Sequence, residues 1–167
     1  QMGVKRTERL TGYGPNPAIP WYHRRIVYPV PFDSRSRQET DAAGFPPFFR
    51  GHNHSPALEV AANGDLLYAS YTSYGEYEPG VSFIMARLRF GADQWDFPDG
   101  FLDFADVNVH APMLWRDAGR LYFFFGTPRL AGAAPFNWMF SDDHGATWSP
   151  VQYPNFSGFA GPNTRQP

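Results

Sequence analysis

The sequence predicts an all-β protein built from successive blades of a β-propeller, and three observations lead there. First, one stretch is stated twice. His54-Ser55-Pro56-Ala57-Leu58, a turn at Asn63-Gly64 and the apolar run Leu66-Leu67-Tyr68-Ala69 return 56 residues later. The second copy reads His110-Ala111-Pro112-Met113-Leu114, a turn at Asp117-Ala118-Gly119 and Leu121-Tyr122-Phe123-Phe124-Phe125. Second, Arg165-Gln166-Pro167 stands 55 residues beyond His110 and reads as the opening of a third copy. Third, the period carries strand signals and almost no helical ones. A repeat near 50 residues made of strands alone is the signature of a propeller, in which each repeat is one four-stranded blade.

Taken in order, residues 1–50 form a segment rich in proline and glycine without a clear period. Within it Arg25-Ile26-Val27-Tyr28-Pro29-Val30 reads as one strand, placed to complete the last blade of a closed ring, and Asp33 to Thr40 reads as a polar loop. The first blade spans residues 54–104, with strands expected at Pro56–Ala61, Leu66–Tyr71, Val81–Phe90 and Phe101–Phe104. Its Asn63-Gly64-Asp65 turn is a hairpin signal, because glycine takes positive φ without penalty. Apolar and polar residues alternate toward the end of Val81–Phe90, as a half-buried strand requires. The second blade spans residues 110–153, with strands expected at Pro112–Arg116, Leu121–Gly126, Phe136–Ser141 and Val151–Tyr153; a third begins at residues 163–167. Propellers close with about 4–8 blades, so the chain is expected to be part of a longer one.

Composition narrows the function. A net charge of −2 with 18% charged residues provides no basic field, which argues against nucleic acid as a partner. Aromatics at 18% suit both packing between blades and stacking on sugar rings, and packing is the expected use of most. With no cysteine there are no disulfides and no thiolate chemistry, and the compartment stays open. No apolar run approaches the roughly 18 residues of a membrane span, and no signal peptide is visible. No cofactor is implied. Oligomeric state is not encoded in any recognisable way.

Between the third and fourth strands of the second blade lies Ser141-Asp142-Asp143-His144-Gly145-Ala146-Thr147-Trp148. The spacing lets Asp143 accept hydrogen bonds from the amides of its own turn, lets Gly145 supply unusual backbone angles and lets Trp148 fold back beneath the hairpin. The first blade holds a degenerate copy, Phe90-Gly91-Ala92-Asp93-Gln94-Trp95, whose tryptophan precedes the other by 53 residues. This motif resembles the Asp-box of bacterial neuraminidase repeats. With Glu78-Pro79-Gly80-Val81-Ser82 and with Trp95 followed by Pro98, the chain over residues 52–167 resembles the sialidase superfamily, in its exo-sialidase type. That resemblance implies a six-bladed propeller acting as a glycoside hydrolase on an acidic glycan, outside the cytoplasm (secreted or periplasmic). It also implies an arginine triad for the substrate carboxylate, a tyrosine nucleophile with a glutamate partner, and an aspartic acid as acid/base. It makes Ser141, Asp143, Gly145, Thr147 and Trp148 structural.

In that family the first arginine opens the inner strand of a blade; here His54 stands in its place, His110 in the next blade and Arg165 in the third. First residues of inner strands open onto one face of the channel, so these three converge on one candidate site. Arg165 would bind a carboxylate, while a histidine is the side chain suited to moving a proton near neutral pH. The expected chemistry is hydrolysis. The alternatives are β-elimination on a uronic-acid glycan, with His54 or His110 as base, and a non-catalytic glycan-binding propeller. Either histidine could instead hold only the turn before Pro56 or Pro112. His52 shares the parity of His54 in an extended segment and is a substrate-binding candidate. So are Glu76 and Glu78, for which a solvated loop is the alternative, and Asp106 and Asn108, which precede His110. Arg129 reads as a surface arginine, and His144 belongs to the Asp-box turn. No short ligand spacing accompanies the histidines, so no metal is expected.

Overall fold

The computed structural model describes residues 25–28, 37–42, 44, 50–75, 80–104, 109–127 and 137–153. Strands β1 (His52–Val60), β2 (Leu66–Ser73), β3 (Ser82–Leu88) and β4 (Asp99–Leu102) form one antiparallel sheet in chain order. Strands β5 (His110–Asp117), β6 (Arg120–Gly126) and β7 (Asn137–Ser141) form a second. The chain is therefore all-β, as the sequence predicts, in two consecutive meanders of the kind that make propeller blades. In place of a strand at 151–153, the second sheet ends in a single bridge between Trp138 and Gln152. The opening of a third blade at 163–167 lies outside the described residues.

Two expectations for the N-terminal segment are corrected. Residues 37–42 form a six-residue helix, α1 (Arg37–Ala42), where a loop was expected through Thr40. Gly44, at φ 77°, closes it by donating its amide to the Asp41 carbonyl at 3.0 Å. So short a helix carries no apolar period for sequence reading to detect. Arg25 to Tyr28 are not a strand. They dock by side chains instead: Arg25 donates to the Ala92 carbonyl at 2.8 Å, and Tyr28 is buried against Ile84 and Tyr68.

The two sheets stack face to face through aromatic rings. β6 alternates along its length, with Leu121, Phe123 and Phe125 buried toward the first sheet. Phe123 meets Phe83 at 5.1 Å and Phe101 at 5.0 Å between centroids, both edge-on, the arrangement ring quadrupoles favour. Trp148 closes the seam, 5.4 Å from Phe101 and 6.2 Å from Phe123. Full burial of each phenylalanine contributes roughly 1.5–3 kcal/mol, so this seam dominates the cohesion of the pair. Its effect on shape is that the first strands, β1 and β5, lie side by side.

The repeat has a matching backbone device. Ser55 and Ala111 both take φ 51°, and at both places three steps of the first strand oppose two of the second. Pro56 and Pro112 lack an amide for the ladder, which is why a bulge falls there. At the other end of the sheets, the 141–148 turn is laced from within. Asp143 Oδ1 accepts from the amides of Ala146 and Thr147 and from the Ser141 hydroxyl; its Oδ2 accepts from the Thr147 hydroxyl at 2.6 Å. These bonds, the Thr147 hydroxyl foremost, hold the Asp143 carboxyl far below the usual carboxylate range. Arg87 of β3 then joins the sheets, donating to Asp65 at 2.8 Å and to the His144 carbonyl at 2.8 Å. The degenerate copy shares the backbone form: Asp96 donates to Arg87, as Ser149 does to Phe140, 53 residues on. Leu88 stands where the second sheet has Ser141, and Asp65 takes over the carboxylate role by accepting the Phe90 amide at 2.8 Å.

Candidate functional site

The side-by-side placement of β1 and β5 brings the repeated histidines to one tyrosine. His52 and His54 share one face of β1 by the two-residue period of a strand, with their rings 5.5 Å apart. His54 is paired across the ladder with Tyr71 of β2. Its Nδ1 lies 2.7 Å from the Tyr71 hydroxyl, a hydrogen bond in which donor and acceptor follow the imidazole tautomer. From the neighbouring sheet, the His110 ring stacks on Tyr71 at 5.1 Å with an 11° tilt. His52 stacks on the same tyrosine at 6.0 Å. Tyr71 is 2% exposed, while His54 is open to solvent.

This geometry holds one histidine at a chosen angle. The buried Tyr71 hydroxyl occupies one ring nitrogen of His54, and the other nitrogen is left for a proton donor or acceptor outside. Ser55 and Ala111, directly after His54 and His110, both take φ 51°; backbone strain of this kind gathers at functional sites. Among the described residues, none is a hydrogen-bond partner for the buried Nε2 of His52, an arrangement that costs about 1–3 kcal/mol.

A cleft of about 360 Å³ is lined, among the described residues, by Val27, Tyr28, Gly51, Asn53, His54, Pro56 and Tyr68. The Tyr28 hydroxyl donates to Asn53 Oδ1 at 3.2 Å and meets Ser70 Oγ at 3.3 Å. Burial pushes the Tyr28 hydroxyl well above the ordinary tyrosine value, more than the Ser70 bond lowers it, so it stays protonated and acts as a prop. Asn53 in turn donates to the Arg50 carbonyl at 2.7 Å, and the Arg50 guanidinium lies 4.6 Å over the Tyr74 ring. A smaller cavity of about 250 Å³ runs along the seam between Arg87, Phe101 and Trp148, remote in kind from the histidine cluster.

Of the residues singled out in the sequence, His52, His54 and His110 are brought together. Glu76, Glu78, Asp106, Asn108, Arg129 and Arg165 lie outside the described residues. His144 sits in the 141–148 turn with its carbonyl bound by Arg87. Among the described residues, no group of three histidine, cysteine, aspartate or glutamate side chains is placed to hold a metal. No helix among them is long and apolar enough to cross a membrane. Tyr71, the centre of the cluster, was missed by sequence reading. Counting across the hairpin from Val60 and Leu66 would have placed Thr72 opposite His54; the bulge between His54 and Ala57 shifts the register by one and puts Tyr71 there.

No protein-family model and no curated protein matches the chain. Among solved structures it is similar to the Hadza microbial sialidase Hz136, at 15% sequence identity and a TM-score of 0.48. The match covers 62% of this chain and 26% of that one, so it spans about a quarter of the sialidase's length. That likeness bears on neither activity nor substrate.

Proposed function

We propose that the chain forms part of a carbohydrate-active enzyme for an acidic glycan, with His54 as the group that moves the proton. The observation that carries this is the 2.7 Å bond between His54 Nδ1 and the buried Tyr71 hydroxyl. An imidazole tied at one nitrogen presents the other in a fixed direction, which is what general acid–base catalysis needs. Between exo-sialidase-like hydrolysis and β-elimination, this pair favours elimination. Tyr71 is buried and held by a histidine, which suits a positioning group better than a nucleophile. In the elimination His54 takes the proton from C5 of a uronate. The C5–H electrons form the C4–C5 double bond, the C4–O bond breaks, and the departing oxygen receives a proton from His110 or water. Arg165 is proposed to bind the carboxylate, whose neutralisation eases loss of the C5 proton.

The test uses the full-length gene product on uronic-acid polysaccharides and sialosides, following released sialic acid and the rise in absorbance at roughly 235 nm from an unsaturated uronate, with proton transfer worth about 10²–10⁴ in rate. Rising absorbance that His54→Ala lowers at least ~100-fold supports the proposal. Released sialic acid without new absorbance would establish the hydrolase instead. Glycan binding with neither product would leave a binding propeller.

A further inference from the structure

We propose that Asn63 is a site of spontaneous deamidation, and that the isoaspartate formed there loosens the hairpin that clasps the two sheets, whatever chemistry the His54 site performs.

The chemistry starts from the sequence. Asn63 precedes Gly64, and every other asparagine of the chain precedes a residue with a side chain. The backbone nitrogen of Gly64 therefore approaches Asn63 Cγ with no Cβ in the way. A bond forms between that nitrogen and Cγ as the bond from Cγ to the side-chain nitrogen breaks. The departing amide nitrogen takes up the proton lost by the Gly64 nitrogen and leaves as ammonia, closing a cyclic succinimide. Water then opens the ring at either carbonyl. One opening gives aspartate; the other gives isoaspartate, in which the main chain runs through the former side chain.

Asn63 is exposed, whereas Asn137 is 1% exposed and Asn53 is bonded to Tyr28 and to the Arg50 carbonyl. One restraint opposes the step. The Gly64 amide donates to the Ala61 carbonyl at 2.9 Å and must leave that bond to attack. An exposed turn opens locally at a free energy well short of global unfolding, so the rate of reaction reports how often this turn opens.

The consequence follows from what the turn holds. Asn63 accepts from the Asp65 amide at 3.1 Å and donates to Asp65 Oδ2 at 3.0 Å. The same Oδ2 accepts from Arg87, whose other arm donates to the His144 carbonyl in the turn of the second sheet. Asn63 thus steadies the carboxylate on which Arg87 is anchored. Isoaspartate replaces the amide donor with a carboxylate that only accepts, next to another carboxylate. It also adds a carbon to the main chain of the turn. Loop length fixes hairpin register, so the bond from the Ala61 amide to the Asp65 carbonyl and the Asp65–Arg87–His144 relay loosen together.

The full chain would be held in mildly alkaline buffer, folded and in denaturing urea, then mapped by peptide mass spectrometry with enzymatic methylation of isoaspartate. The expected result is conversion at Asn63 ahead of every other asparagine, slower in the folded protein than in urea. The converted protein should unfold at a urea midpoint lower by ~0.5 M or more, the shift expected from losing about one hydrogen bond at a typical slope. Asn63→Asp carries the added charge without the added main-chain carbon and should shift the midpoint less. Asn63→Gln should neither convert nor shift on storage. The inference is overturned if Asn63 converts in neither sample, if the folded protein holds no isoaspartate there once the urea sample has converted, or if another asparagine converts first. It is equally overturned if converted protein keeps the midpoint of fresh protein.

Discussion

Replacing Gly145 with alanine probes how the two sheets are locked together. The residue sits at φ 82°, and an added Cβ would lie 2.8 Å from Leu67 Cδ1 and 3.3 Å from Arg87 Nη2. Leu67 is 1% exposed, so its methyl has no solvent to retreat into. Arg87 can retreat only by loosening its bonds to Asp65 and to the His144 carbonyl. Holding an alanine in the left-handed region costs roughly 1–2 kcal/mol. Overfilling the contact adds about 1–3 kcal/mol. The sum, roughly 2–5 kcal/mol, is a large share of an ordinary domain's stability. Two other glycines separate the terms. Gly91 has φ 83° with nothing within 4 Å of a Cβ, so Gly91→Ala carries the backbone cost alone. Gly119 has open space and no positive φ, so Gly119→Ala should change little. Urea unfolding followed by tryptophan fluorescence would rank them, with the Gly145→Ala midpoint lower by ~1–2 M for a typical urea slope. Equal midpoints for Gly91→Ala and Gly145→Ala would refute the steric contact. Equal midpoints for all three would refute the turn geometry itself.

Other outcomes follow from the same contacts. Tyr71→Phe keeps the ring against His110 but removes the bond to His54; stability should fall by about 1 kcal/mol while turnover on a uronate polymer falls ~10-fold or more, a disproportion that urea curves and initial rates would expose. Phe123→Ala empties the centre of the seam and should cost about 3–5 kcal/mol, measured by the same unfolding curves. Acid should loosen the turns. For Asp65, burial acts to raise the carboxyl but hydrogen bonds from the Phe90 amide, Arg87 and Asn63 outweigh it, and the net shift is downward; Asp143 is shifted downward by Thr147 and Ser141. Folded values below the ordinary 3.8 mean that this stabilisation is present above that pH and is lost as pH falls through the folded values. The urea midpoint should therefore begin to drop below about pH 5 and go on dropping below about pH 3, and Asp143→Asn should flatten that drop.

The sequence alone determined that the protein is all-β, because period-2 alternation and hairpin turns are local properties, visible without any partner. It also determined that His54 and His110 occupy matching places, since a repeat transfers position from one copy to the next. The first strand still began earlier than alternation suggests, at His52 rather than Pro56, because the bulge at Ser55 interrupts the pattern while the ladder continues on its far side. What the residues could not announce were contacts between elements far apart in the chain. Tyr71 became the centre of the histidine cluster only when the aromatic seam set β1 beside β5 and brought His110 over its ring. Tyr28 became a cleft wall only because Asn53 and Ser70 offered it partners on a sheet that begins more than twenty residues later. Periodicity records which face of a strand is buried. Which side chains then meet is settled by the packing of one sheet on the next, and both the seam and the site depend on it.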